Sequence, residues 1–233
     1  MRSFSFFDVD ETLLRTKSMF DCLPFVYAVT GARGLNYESM LADIKSMKGK
    51  GCSRSKINFH YYNKYSGVKR CDVRKACADW YSYRCQNRSL FFYRSMEDRL
   101  AYEKSNGREP VLVSGSAVDI LAVMATDLGI RHVLATELET DDGYYNGSIS
   151  SPQMLGEGKA FAIRKFLDSK RSKASECSAY GDHSSDMAML NQVGDAYVVG
   201  NDYDLLVKAK EMRWKVINPN TGFIQKVNEI ILQ

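Results

Sequence analysis

Two aspartates stand two residues apart at the end of an apolar run, in Phe6-Phe7-Asp8-Val9-Asp10-Glu11-Thr12-Leu13-Leu14. Along a strand, residues i and i+2 share a face, so Asp8 and Asp10 point together while Val9 points away. Crowded carboxylates repel each other and are costly unless a cation neutralises them. Mg²⁺ suits such a pair, because it takes oxygen ligands and keeps coordination sites for water and phosphate. A second acidic segment lies far downstream, at Tyr180-Gly181-Asp182-His183-Ser184-Ser185-Asp186-Met187. There another apolar stretch ends in Gly-Asp, with a further aspartate four residues on. Together the two segments point to phosphoryl chemistry. The plainer alternatives are a solvated pair for Asp8 and Asp10, and helix N-caps for Asp182 and Asp186.

Positioning these groups requires strands that end on one rim. Residues 3–8 are expected to form a short buried strand, and residues 110–114 a second, with Pro110 tolerated at its first position. The helix-period stretch Val118–Leu128 closes at Gly129 and leads into a strand at His132–Thr136. Residues 144–150 are expected as one arm of a hairpin, with Asp142-Gly143 and Asn146-Gly147 as turns. A helix over about 157–168 follows, then strands at 177–181 and 196–199 around a helix at 184–192. A last strand at 215–217 precedes a terminal helix expected from about Thr221. Alternating elements imply an α/β fold with a parallel sheet and helices on both faces.

Residues 18–104 contain no convincing strand. Helical periodicity lies near 18–29, 36–47, 53–65, 71–87 and 91–105, predicting an all-helical insertion after the first strand. The domains predicted are a core of residues 1–15 and 106–233 and an insertion of residues 16–105. In a parallel sheet the carboxyl ends of the strands face one crevice, where ligands bind. Asp8, Asp10, Ser114 and Asp182 fall at such ends, and the insertion leaves from the same rim, so it can roof the crevice.

Composition bounds the class. The 233 residues are 45% hydrophobic and 26% charged, as in ordinary globular enzymes. No apolar run approaches the length of a membrane span, and acidic residues interrupt any leader-like start, so a cytoplasmic protein is expected. Six cysteines show neither C-x-x-C nor zinc spacing and are expected as free thiols. Net charge is +4, but residues 16–104 carry +9 and the remainder −5. The basic segment is rich in aromatics, including Tyr61, Tyr62, Tyr65, Trp80, Tyr81, Tyr83, Phe91, Phe92 and Tyr93. That combination raises a nucleic-acid-binding module as an alternative. The basic residues are spread over several helices, and a pI of 8.6 is modest, which argues against it.

The residues resemble the haloacid dehalogenase superfamily, and within it the phosphoserine-phosphatase-like branch with a helical cap inserted after the first motif. D-x-D-x-T is present as Asp8 to Thr12, and the strand ending in Ser-Gly as Val113-Ser114-Gly115-Ser116. The lone lysine before a helix is Gly158-Lys159-Ala160, and G-D-x-x-x-D runs from Gly181 to Asp186. The resemblance implies a Rossmann-like core with a C1-type cap and a phosphatase acting on a small phosphorylated metabolite, as a monomer or homodimer. It implies Asp8 as nucleophile and Asp10 as general acid and base. Mg²⁺ and Lys159 would keep Asp8 ionised, while neighbouring negative charge would hold a proton on Asp10. The metal would take the Asp8 carboxylate, the Asp10 carbonyl and Asp182, with Asp186 as a ligand or as support behind the ligands. Ser114, Gly115 N–H and Lys159 would hold the phosphoryl oxygens, and Glu11 and Thr12 would only shape the loop.

Departures bear on substrate. By offset, Lys17 falls where phosphoserine phosphatases carry an acidic residue for the substrate ammonium, and Tyr61 falls near their cap arginine. Lys17 would repel an ammonium, which argues against phosphoserine itself. A basic, aromatic cap favours a substrate with a second anionic group, or with a ring. Transfer of the phosphoryl group to an acceptor other than water would use the same residues. His60, His132 and His183 are expected as structural or loop residues.

Overall fold

The apolar run leading to the first two aspartates forms an interior strand of the sheet. The computed structural model describes residues 2–32, 35–150 and 152–226. Its strands are β1 (Ser3–Asp8), β2 (Arg108–Ala117), β3 (His132–Thr136), β4 (Leu138–Asp141), β5 (Tyr144–Ile149), β6 (Ser178–Gly181), β7 (Asp195–Val199), β8 (Lys215–Ile217) and β9 (Ile224–Lys226). Seven of them form one sheet in the order β3-β2-β1-β6-β7-β8-β9, while β4 and β5 pair as a separate hairpin. Every pairing in the sheet is parallel except β8 with β9. Phe4 and Phe6 enter a core on one face with Val111, Val113, Ala179 and Val198. Phe7 enters the core on the other face with Leu112, Tyr180 and Tyr197. A strand buried on both faces is apolar throughout rather than alternating. Phe7, Tyr180 and Tyr197 stack across β1, β6 and β7 at centroid distances of 4.3 and 4.7 Å.

Among the described residues, six α-helices lie between β1 and β2: α1 (Ser18–Thr30), α2 (Tyr37–Gly49), α3 (Arg54–Asn63), α4 (Arg70–Cys85), α5 (Arg88–Phe91) and α6 (Arg94–Ser105). Their apolar faces belong to the same core cluster as Phe7, so the insertion is packed onto the sheet's neighbour helix rather than standing apart. Tyr61, Tyr62, Tyr65, Trp80, Tyr81, Phe91 and Phe92 are all buried. They are therefore not the exposed stacking platform that a single-strand binder presents. The β4–β5 hairpin ties the insertion down. Gly67 N–H donates to Tyr145 C=O at 2.8 Å, Tyr145 N–H to Val68 C=O at 2.9 Å, and Arg70 N–H to Gly143 C=O at 2.9 Å. The buried Asp119 reinforces this joint, accepting from Arg70 Nε and from Tyr145 Oη, both at 2.9 Å.

The remaining helices are α7 (Val118–Asp127), α8 (Glu157–Lys170), α9 (Met187–Leu190) and α10 (Tyr203–Met212). Four expectations are corrected. Asn146-Gly147 is not a turn but lies within β5, where the pairing with β4 is irregular. The helix expected at 184–192 is a 3₁₀ turn, Ser184–Asp186, followed by the single turn of α9. Thr221 does not start a helix: residues 224–226 pair antiparallel with β8, and the rest of the expected helix lies outside the described residues. The periodicity at 91–105 is broken at Phe92 and Tyr93, where the chain leaves α5 and donates from Tyr93 N–H back to Leu13 C=O. Helix α10 was not anticipated. No described helix is long and apolar enough to cross a membrane. All six cysteines are free, and Cys22 and Cys77 touch across α1 and α4 at 3.2 Å.

Candidate active site

The carboxyl ends of β1, β2 and β6 meet at one cavity of about 300 Å³. Asp8, Asp10, Ser114, Gly115, Lys159, Asp182 and Asp186 all line it, although they come from four separate stretches of sequence. Lys159, in the first turn of α8, is buried and bonds Asp8 Oδ1 at 2.5 Å and Asp186 Oδ1 at 2.7 Å. A lysine at a helix N-terminus opposes the dipole, and these two carboxylates offset that cost. Burial works against the Lys159 ammonium, but Asp186 and Asp8 outweigh it and raise its pKa above the usual lysine value.

The acidic cluster carries more negative charge than one lysine can answer. Asp8, Asp182 and Asp186 offer carboxylate oxygens within 4.8 Å of one another. Burial is the main influence on Asp8 and pushes its carboxyl well above the ordinary range; Lys159 opposes this, and Asp186, Asp182 and Asp10 add to it. Asp182 is pushed up to about 6, by burial and then by Asp186. An all-oxygen set of desolvated carboxylates suits a hard divalent cation such as Mg²⁺. Asp182 Oδ1 accepts from Thr12 Oγ1 at 2.9 Å, which leaves Oδ2 for a metal. Asp186 is engaged on both oxygens, by Lys159 and by His183 N–H at 3.4 Å. Gly181 makes room for this arrangement, since a Cβ there would lie 2.7 Å from Asp186 Cβ and 2.9 Å from its Oδ2.

Asp10 lies beside Asp8, its carboxyl accepting from Ser18 N–H at 2.9 Å and Ser116 Oγ at 3.0 Å. Its pKa is raised, as the expectation of a held proton requires, but for a different reason. Burial raises it, while the bonds from Ser18 and Ser116 and the charge of Lys159 lower it. Gly115 is pinned by its carbonyl, which accepts from Tyr62 Oη at 3.1 Å and Thr136 Oγ1 at 2.7 Å. A Cβ at Gly115 would lie 3.0 Å from Leu155 Cδ2, so the strand end is held against the wall of the cavity.

The insertion supplies the opposite wall. Met19, Phe20, Ile44 and Ile57 form its apolar part, and Lys17, Lys48 and Arg54 its cations. Lys17 is half exposed and paired with Glu11 at 3.1 Å, so it sits at the mouth with part of its charge answered. Tyr61 lines the cavity but is buried, and its hydroxyl donates to Met19 C=O. The guanidinium at the cavity is Arg54, in the first turn of α3. Sequence reasoning missed it, although a basic residue just after the N-cap Ser53 is the signal that singled out Lys159. Arg54 Nη1 lies 3.0 Å from His183 Nδ1, which also accepts from Ser185 N–H at 3.0 Å. Because a guanidinium only donates, His183 Nδ1 carries no proton and the ring is the Nε2–H tautomer. Thr12 was expected only to shape the loop, but it holds Asp182. His60 pairs with Asp43, and His132 packs against Phe4 and Phe166, as structural residues do.

Comparison with known proteins agrees with this geometry. A Mycobacterium tuberculosis protein named a probable phosphatase is 29% identical over 226 residues, covering 93% of this chain and 75% of that one. A phosphoserine phosphatase of the same organism is 30% identical over 110 residues, 47% of this chain and 36% of that one. Among solved structures, a Bordetella pertussis protein of unknown function superposes with a TM-score of 0.80 at 20% identity, covering 94% of this chain and 99% of that one. A phosphoserine phosphatase with a phospho-aspartyl intermediate analogue superposes at 0.64 and 17% identity, over 89% and 90% of the two chains. At these identities the structures speak for the fold. The haloacid dehalogenase-like hydrolase family model matches residues 5–191. With most of its length inside that match, the chain belongs to the haloacid dehalogenase-like hydrolase family.

Proposed function

We propose that the chain is a Mg²⁺-dependent phosphatase that hydrolyses a small phosphate monoester in the cytoplasm, with residues 16–105 as a cap over a core of residues 1–15 and 106–233. The observation that supports it best is the convergence of Asp8, Asp10, Ser114, Lys159, Asp182 and Asp186 on one cavity. Asp8 attacks phosphorus, and its bond to phosphorus forms as the bond to the ester oxygen breaks. Asp10 gives its proton to that oxygen, so the alcohol leaves neutral. Asp10, now a carboxylate, takes a proton from water as the water oxygen attacks phosphorus, which releases phosphate and restores Asp8. Burial of Asp10 favours the protonated form that the first step needs. Ser114, Gly115 N–H and Lys159 hold the phosphoryl oxygens as charge spreads over them. Asp8, the Asp10 carbonyl and Asp182 would hold Mg²⁺, which supplies neutralisation of phosphoryl charge. The two bonds on Asp186 favour a supporting role behind these ligands.

The cap wall favours a substrate with a second anionic group. Arg54 and Lys48 face the cavity with Lys17 at its mouth, and Phe20 offers an aromatic wall to a ring. A substrate ammonium would meet these cations unfavourably, so phosphoserine is not the substrate proposed.

The test is phosphate release from a panel of alkyl, sugar, carboxylate-bearing, amino-alcohol and nucleotide esters, with Mg²⁺ or with EDTA. Metal-dependent release that disappears in Asp8→Asn is expected, with carboxylate-bearing esters ranked above amino-alcohol esters. Release that persists in Asp8→Asn would overturn the mechanism. Arg54→Ala should raise KM for the anionic esters selectively. A new phosphorylated product on adding an acceptor alcohol would mark phosphoryl transfer.

A further inference from the structure

Two serines outside the family motifs' chemistry meet at the Asp10 carboxyl, one from each side of the cap boundary. Ser18 is the first residue of α1, and Ser116 stands near the end of β2; both are fully buried. Ser18 N–H donates to Asp10 Oδ1 at 2.9 Å, and Ser116 Oγ donates to Asp10 Oδ2 at 3.0 Å. The two hydroxyls are themselves 2.8 Å apart, and Ser116 N–H donates to Ser114 Oγ at 3.1 Å.

The direction of these bonds follows from counting protons. A hydroxyl has one proton, and Ser116 commits its own to Asp10, so Ser18 Oγ must donate to Ser116 Oγ. Ser114 Oγ accepts from the backbone of Ser116, which leaves its own proton free to point into the cavity. Ser116 therefore orders two groups at once: the carboxyl plane of Asp10 and the hydroxyl of Ser114. Each Asp10 oxygen keeps one lone pair unclaimed by the serines, where a transferable proton can reside.

We propose that Ser116, backed by Ser18, is a positioning residue that aims Asp10 at the leaving-group oxygen. This rests on the reading of Asp10 as general acid. The pair makes that acid a joint product of core and cap, since one donor comes from β2 and the other from the first turn of α1. The serines touch neither phosphorus nor the leaving group, and act through Asp10.

Leaving-group dependence separates this role from simple structural support. An alkyl phosphate such as glycerol 2-phosphate needs its leaving oxygen protonated, whereas p-nitrophenyl phosphate releases a stable phenolate without help. The constant to compare is kcat/KM, which reports events up to departure of the alcohol and excludes hydrolysis of the intermediate. Loss of a hydrogen bond to a charged or charging group predicts that Ser116→Ala loses about tenfold to a hundredfold on the alkyl ester. On the aryl ester it should lose far less, so the ratio between the two falls. Ser18→Ala, which keeps the N–H bond and loses only the hydroxyl, should shift the ratio the same way by a smaller factor. Asp10→Asn serves as the reference and should shift it most. A ratio unchanged in Asp10→Asn would overturn the acid assignment and the proposal with it. A ratio lowered in Asp10→Asn but unchanged in both serine variants, with the two esters falling alike, would leave the acid standing and overturn the positioning role.

Discussion

Lys159 Nζ lies 2.5 Å from Asp8 Oδ1 across 151 residues of sequence, and the same ammonium bonds Asp186 at 2.7 Å. One buried cation thus spaces two carboxylates that would otherwise repel, and it does so beside the atom proposed to attack phosphorus. Removing it leaves buried carboxylates unanswered, a change of the kind that costs about 3–5 kcal/mol when both partners are fully desolvated. Protonation of the aspartates offsets part of that cost. Lys159→Met is expected to melt at lower temperature near neutral pH and to release phosphate orders of magnitude more slowly. Melting curves and phosphate release check the two effects separately. Undiminished turnover in a folded variant would remove Lys159 from the phosphoryl site.

Metal dependence follows from the same charge count. With Asp8 pushed well above the carboxylate range and Asp182 pushed up to about 6, the cluster has a standing demand for positive charge. A ligand that binds only the folded chain stabilises it by about 2.7 kcal/mol at a hundred times its Kd. Added Mg²⁺ should therefore raise the melting temperature, and EDTA should reverse both that rise and phosphate release. The gain should vanish in Asp182→Asn. Equal melting with Mg²⁺ and with EDTA would argue that the cluster holds no metal.

Much of this site is legible in sequence because its parts are local. An apolar run ending in Asp8-Val9-Asp10, and another ending in Gly181-Asp182, carry their strand and their chemistry in the same few residues. The groups that hold them do not. Thr12 reaches Asp182 across 170 residues, and Tyr62 reaches Gly115 across 53, with nothing in either segment to announce the partner. Arg54 lay closer to view, as a cation in the first turn of a helix. The misassignment at residues 224–226 has another cause. Ile224–Lys226 is too short to show a period, and its strand state comes from pairing with β8, a tertiary effect that local propensity does not carry. Likewise, the turn at Ser184–Asp186 is fixed by His183 and Asp186 capping each other, which breaks the helix that the spacing suggested.

Gly181 offers a test of packing against chemistry. A Cβ there would stand 2.7 to 3.0 Å from three atoms of the Asp186 side chain, closer than real contacts allow. Gly181→Ala should therefore displace Asp186, loosen Lys159, and lower turnover while the sheet stays folded, since Gly181 closes β6 rather than filling its core. Overpacking of this kind typically costs about 1–3 kcal/mol. Circular dichroism and phosphate release would show the two sides, and full activity would mean that Asp186 has room the structure does not show.

Asp195 gives the fold a pH dependence away from the active site. Its carboxylate accepts from Arg108 Nη2 at 2.8 Å and Lys215 Nζ at 3.3 Å. Burial raises its pKa, but the Arg108 and Lys215 bonds outweigh it and hold the group below its usual value. A carboxyl lowered on folding stabilises the native state fully above its unfolded pKa, which is about 3.9. That contribution is lost as pH falls through the lower folded value. Asp195→Asn should therefore melt below the wild type by a constant margin between about pH 5 and 7, and the margin should close in more acidic solution. The side chain is about one-third exposed, so solvent screening keeps the effect in the range of about 0.2–1 kcal/mol typical of surface pairs. Arg108 also bonds the buried Glu103, and that second contact survives in the variant, so the loss should stay modest. Thermal melts of both proteins across the acid range decide it: a margin that widens toward low pH would mean that the pair is not what holds Asp195.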